Sequence, residues 1–177
     1  MKRAMRISAA IGLAAALTGV AATLTADQSP QVVQVRDDCD PATFNAAVGP
    51  GTCVGNGDTT FPDFLAEVTA NQSAEQWRFN PDRVSEPRPL VARNRGGETH
   101  TFTKVKQFGG GVVDLLNQLS GNTDLAKECF DPTVFDFGDP THSAIRPGES
   151  LNAQPDQGTT RYQCCIHPWM RTTVRGR

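Results

Sequence analysis

Near its C-terminal end the chain reads Tyr162-Gln163-Cys164-Cys165-Ile166-His167-Pro168-Trp169-Met170. A thiol, an imidazole and a thioether recur at every third position, as Cys164, His167 and Met170. Three such side chains can converge on one point only if the chain leaves a strand and loops back tightly. Pro168, directly after His167, suits that turn. The adjacent Cys165 raises a question of assignment, which strand geometry answers. Tyr162 and Cys164 share one face of an extended segment, and Gln163 and Cys165 share the other. With Tyr162 turned to a core and Gln163 outward, Cys164 points in with the other donors.

A second donor lies in Thr99 to Val105 (THTFTKV), a run of strong strand formers. Alternation sets His100, Phe102 and Lys104 on one face and Thr99, Thr101, Thr103 and Val105 on the other. His100 would complete a set of two imidazoles, one thiolate and a weak thioether. That set suits a copper ion that changes charge by one electron, whereas hard cations prefer oxygen. Asp114, Asp124, Glu128, Asp131 and Asp136 are scattered and lack the spacing of a hard-cation loop. They are expected to form solvated surface.

The cysteines depend on compartment. Lys2, Arg3 and Arg6 precede an Ala-rich apolar run from Ile7 to Leu24, the layout of a secretory signal peptide ending near residue 26. An uncleaved anchor is the alternative, but Ala and Gly make the run weakly hydrophobic. The chain is expected to be exported, periplasmic or secreted, where disulfides persist. It has five cysteines. If Cys164 is a metal thiolate, Cys39, Cys53, Cys129 and Cys165 remain, and four cysteines allow three connectivities. Cys39 with Cys53 is the local choice and would leave Cys129 with Cys165. A vicinal Cys164–Cys165 bridge would destroy the thiolate and is strained.

The chain has 177 residues and a formal net charge of -2. Three segments are expected: a signal peptide at 1–26, an N-terminal extension at 27–74, and a domain at 75–177. Residues 36 to 63 read as loop, and Phe61 to Val68 as a short helix. Trp77-Arg78-Phe79, Leu90 to Asn94, Thr99 to Val105, a segment opening at Leu151, and Thr160 to Cys165 read as strands. Turn signals separate them, at Asn80-Pro81, Arg95-Gly96-Gly97 and Pro147-Gly148. Val112 to Leu119 has helical periodicity and interrupts the strands. Short strands with Gly and Pro turns predict an all-β sandwich of antiparallel sheets.

These stretches together resemble the cupredoxins, the superfamily of plastocyanin, azurin and amicyanin. Phe79-Asn80-Pro81, Asn94 and His100-Thr101-Phe102-Thr103 are similar to the early strands that end in the first copper histidine. Cys164, His167 and Met170 are similar to the ligand loop, with the short spacing of the amicyanin type. The resemblance covers about residues 75 to 177. It implies an eight-stranded Greek-key β-sandwich holding one type 1 copper ion through His100, Cys164, His167 and Met170. It also implies electron passage through His167 as the ligand nearest the surface. Pro168 and Trp169 beside that loop are candidates for partner docking, since aromatic residues recur in interface cores. The chain departs from the pattern in its Cys-bracketed N-terminal extension, its insertion from about 109 to 145, and Cys165.

Plainer roles stand beside these. His100 could be a structural strand histidine, Met170 and Trp169 core side chains, and His142 a turn histidine. Arg171, Arg175 and Arg177 read as a basic tail. The expected function is single-electron transfer between redox partner proteins, by a monomer with no substrate. The alternatives are copper delivery without redox turnover and a metal-free interaction module. Three histidines are too few for a type 1 site plus a catalytic copper cluster, so no enzyme is expected. No basic block suggests nucleic acid.

Overall fold

A computed structural model describes residues 29–85, 88–134 and 143–176. The expected signal peptide and His142 lie outside them. Two four-stranded sheets dominate. The first runs β2 (Arg78–Asn80), β1 (Gln31–Arg36), β4 (Leu90–Asn94), β8 (Ser150–Ala153). The second runs β3 (Arg83–Val84), β10 (Arg171–Gly176), β9 (Gly158–Gln163), β6 (Thr103–Val105). A short pair joins β5 (His100–Thr101) to β7 (Ala144–Ile145).

The inner faces of both sheets share one apolar core. Val33, Val35, Phe79, Leu90 and Ala92 from the first sheet meet Val84, Tyr162 and Val174 from the second. Phe102 joins the two. Its ring lies 5.1 Å from Phe79 and stacks on Tyr162 at 4.4 Å. The β-sandwich expected from the sequence is therefore present, but its sheets are mixed and not antiparallel throughout: β1 runs parallel to β4, and β3 to β10.

The expected strand Thr99 to Val105 is two strands in two different sheets. His100 and Thr101 pair with Ile145 and Ala144, whereas Thr103 to Val105 pair with β9. The chain changes sheets at Phe102, so both alternating faces are buried. The expected basic tail is in part strand β10, paired antiparallel with β9 from Arg171↔Gln163 to Gly176↔Gly158. Its thin apolar content, Val174 alone, concealed it.

The segment preceding residue 75 is not separate from the sandwich. β1 lies between β2 and β4, parallel to β4 from Gln31↔Leu90 to Val35↔Asn94. A boundary at 74/75 thus cuts through the first sheet. Two helices follow β1: the first lies in the stretch expected to be loop, and the second contains the expected short helix Phe61 to Val68. Helix α1 (Pro41–Ala47) starts with Asp40 accepting from the Thr43 N–H, and Pro41 follows it at the first position. Helix α2 (Phe61–Asn71) is capped by Thr60, and buries Phe64 and Val68. The Cys39–Cys53 disulfide spans α1, as the local pairing anticipated.

Part of the insertion packs on the outer face of the second sheet, while Leu116 and Ile145 reach the main core. Helix α3 (Asp114–Leu119) and a short 3-10 turn (Lys127–Phe130) belong to it. Cys129 on that turn is bonded to Cys165. Val105, Ala126, Cys129 and Cys165 form a second small core, with Phe108 and Val112 against it. Gln163, expected outward, is buried there. Its side chain accepts from the Gly109 N–H and donates to the Gly109 carbonyl.

Candidate metal centre

His100 opens β5, and Cys164 follows the last residue of β9. His167 and Met170 lie in the loop from β9 to β10. The Met170 N–H donates to the His167 carbonyl at 2.9 Å, and the Cys164 N–H to the Met170 carbonyl at 3.0 Å. These bonds close the tight loop that the three-residue spacing required.

Donor atoms of His100, Cys164 and His167 lie within 4.8 Å of one another. Cys164 Sγ is 3.8 Å from His100 Nδ1 and 3.9 Å from His167 Nδ1. Metal bonds of about 2.0–2.3 Å to nitrogen and sulfur bring donors to roughly such separations around a common ion. Cys164 is the free thiol; the other four cysteines form the two disulfides. Its Sγ also accepts from the Thr101 N–H at 3.4 Å. Met170 is buried and lies on the same loop.

The outer nitrogens of both rings face buried carboxylates. His100 Nε2 donates to Asp37 Oδ2 at 2.7 Å. His167 Nε2 stands 3.7 Å from Glu98 Oε2, and Glu98 also accepts from the Trp77 indole N–H. Burial alone would push the Cys164 thiol up, but hydrogen bonds and charge from His100 and His167 hold it well below its usual value. Burial likewise opposes a charged His100, yet its bonds to Asp37 and Cys164 push the ring up to about 10. Asp37 stays below the ordinary carboxylate value despite burial because His100 and the Gly97 and Glu98 N–H groups favour its anion. Burial raises Glu98, against the nearby histidines. The metal-free cluster thus favours a thiolate, the form that binds metal.

The frame around His100 is held by Asn94. Its side chain donates to the carbonyls of Glu98 (2.7 Å) and Ile145 (2.9 Å) and accepts from the Gly96 N–H. Cys165 is fixed from the other side. Its N–H donates to Thr101 Oγ1, and its carbonyl accepts from the Val112 N–H at 2.7 Å.

His167 is not at the surface. Exposure is 0 % for His100 and Cys164, 1 % for Met170 and 2 % for His167. Helix α2 covers His167: Phe64 lies 6.1 Å from its ring and Trp169 5.6 Å, centroid to centroid. Pro168 is buried as well, so it offers nothing to a docking partner. Trp169 is half-buried and donates to the Trp77 carbonyl. Sequence patterns did not indicate Asp37, Glu98, Trp77 or Phe64. Asp37 and His100 are 63 residues apart and meet only through the β1–β4 pairing. Glu98, two residues before His100, was the one nearby signal.

No protein-family model and no curated protein matches the chain. Solved structures similar to it include a purple cupredoxin from Nitrosopumilus maritimus, at 13 % identity and a TM-score of 0.39 over 82 % of this chain and 98 % of that one. A fern plastocyanin is similar at 14 % identity and 0.40, over 83 % and 100 %. Auracyanin from Roseiflexus castenholzii is similar at 17 % and 0.34, over 56 % and 87 %. All three are similar to this chain at identities and scores too low to transfer a function, so the functional weight falls on the donors themselves.

Proposed function

We propose that this chain is an exported type 1 copper protein that carries single electrons between redox partner proteins. The observation that carries this reading is the buried cluster of His100, Cys164 and His167 around a depressed-pKa thiol, with Met170 on the same loop. Bound copper would supply one-electron chemistry between Cu(II) and Cu(I). His100 and His167 would offer their Nδ1 atoms, Cys164 its thiolate and Met170 a weak axial sulfur. Two hydrogen-bonded frames, the Asn94 network and the Cys164–Met170 turn, would keep these donors fixed through both charge states.

Electron transfer is preferred to copper delivery because every donor is buried. A delivery site must release its ion to an acceptor, and a sealed site opposes that exchange. Export accords with the two disulfides, which persist outside the cytoplasm. Among the described residues no helix is long and apolar enough to cross a membrane.

The test is a visible spectrum of residues 27–177 after one equivalent of Cu(II). An intense blue band that ascorbate bleaches is expected. It should vanish in Cys164→Ser and persist in the double variant Cys129→Ser/Cys165→Ser. A colourless product would refute electron transfer and favour copper handling or a metal-free role.

A further inference from the structure

We propose that Asp37, supplied by the N-terminal segment, and Glu98, braced by Asp37 and Trp77, are positioning residues of the metal centre, and that the charge of Asp37 lowers the reduction potential. The inference rests on the copper reading above.

Asp37 follows β1 and is almost wholly buried, at 1 % side-chain exposure. Its carboxylate accepts from the N–H groups of Gly97 (2.8 Å), Glu98 (3.1 Å) and Cys39 (3.3 Å), and from His100 Nε2. A carboxylate can only accept. His100 Nε2 therefore holds a proton against Asp37, which leaves Nδ1, on the side where Cys164 lies, as the ring nitrogen that can take a metal. The surrounding chain is shaped to admit this carboxylate. A Cβ at Gly96 would fall 1.8 Å from Asp37 Oδ2, and one at Gly97 2.5 Å from the Gly55 nitrogen. The Gly96-Gly97 pair thus serves close approach as well as a turn.

Glu98 faces the second ring at a longer distance, 3.7 Å, an ion-pair contact beyond hydrogen-bond reach. Its backbone N–H is held by Asp37, and its carboxylate lies between the Trp77 indole and His167 Nε2. Trp77 is itself fully buried, stacked 5.8 Å from Phe44 of α1 and tilted against Phe64 of α2 at 4.6 Å. Both imidazoles are thereby oriented from behind by carboxylates that the Asp37–Trp77 segment provides or braces. Outer partners of this kind fix ring orientation and raise ligand basicity. In a water-poor interior a fixed negative charge also favours the more positive metal ion. The Met170 sulfur and apolar surroundings would raise the potential, and Asp37 opposes them.

Two measurements test this on the signal-free chain. The first is the potential of the copper-loaded protein, wild type against Asp37→Asn, which keeps the shape and one acceptor but removes the charge. The Cu(I)/Cu(II) ratio at fixed ambient potential should rise at least tenfold, or 59 mV for one electron, with the blue band retained. Glu98→Gln should shift it the same way, and serves if Asp37→Asn does not fold. An unchanged potential in a folded, blue variant would overturn the charge effect. The second needs no copper: nitrogen-resolved NMR of the metal-free protein. A slowly exchanging proton on His100 Nε2 is expected, and should be lost in Asp37→Ala. Its absence from the wild type would overturn the positioning role. A wild type that keeps this proton but gives no blue copper would refute the electron-carrier function instead.

Discussion

Tyr162 carries a hydroxyl that is buried and has no hydrogen-bond partner among the described residues. Its ring stacks on Phe102 with an interplanar angle of 11°. A desolvated donor without a partner costs about 1–3 kcal/mol, and the cost is avoided if the oxygen is removed and the ring kept. Tyr162→Phe is therefore expected to leave stability unchanged or to raise it by about 1 kcal/mol. Urea unfolding of the two metal-free proteins would measure this. A clear loss of stability would mean that the hydroxyl has a partner in solution. The same strand shows what single residues reveal in sequence. Parity correctly separated Cys164 from Cys165: Cys164 belongs to the main core and Cys165 to the core under the insertion. The same reasoning set Gln163 outward, and it is buried. Alternation reports only that two faces differ. It cannot show that the second face is also covered, by chain inserted many residues earlier.

Elements were legible where one segment carries its own signals. Helix α2 and strands β2, β4 and β9 have apolar periods or turn residues at their ends, and each appears close to its expected place. Helix α1 is short, with one buried residue, Phe44, so its period is faint, and only Asp40-Pro41 marked its start. Strand β10 is visible mainly through its pairing with β9. The role of α2 was not legible, because Phe64 and His167 become neighbours only when the sandwich closes. This helix lies over the candidate ligand His167, whose ring Phe64 meets edge-on at 6.1 Å. Phe64→Ala should cost about 3–5 kcal/mol, as large aromatic truncations in cores do. Below its melting temperature the variant should also lose copper to a chelator faster than wild type. Leu90→Ala supplies the control, since Leu90 is equally buried but lies in β4 and not in the cover. Equal chelation rates in the two variants would show that α2 supports the fold without shielding the site.

At the scale of the molecule, the N-terminal segment and the sandwich are one folding problem. The sequence resemblance begins near residue 75, and a fragment of residues 75–177 contains all four expected ligands. That fragment lacks β1, which pairs with β2 on one side and β4 on the other. Two inner edges would be left with unpaired backbone groups, a cost that folded sheets avoid. It also lacks Val33, Val35, Phe44, Phe64 and Val68, all of them at most 2 % exposed in the intact core. Burial of each such side chain contributes about 1.5–3 kcal/mol, whereas a whole domain is stable by only about 5–15 kcal/mol. The loss is of the same size as the total. Residues 75–177 alone should therefore fail to fold, with no cooperative thermal transition and no blue band on adding Cu(II). Residues 27–177 should show both. A folded, copper-binding 75–177 fragment would mean that the segment before residue 75 is an appendage. Asp37 could then no longer be essential to holding His100, because the site would assemble without it.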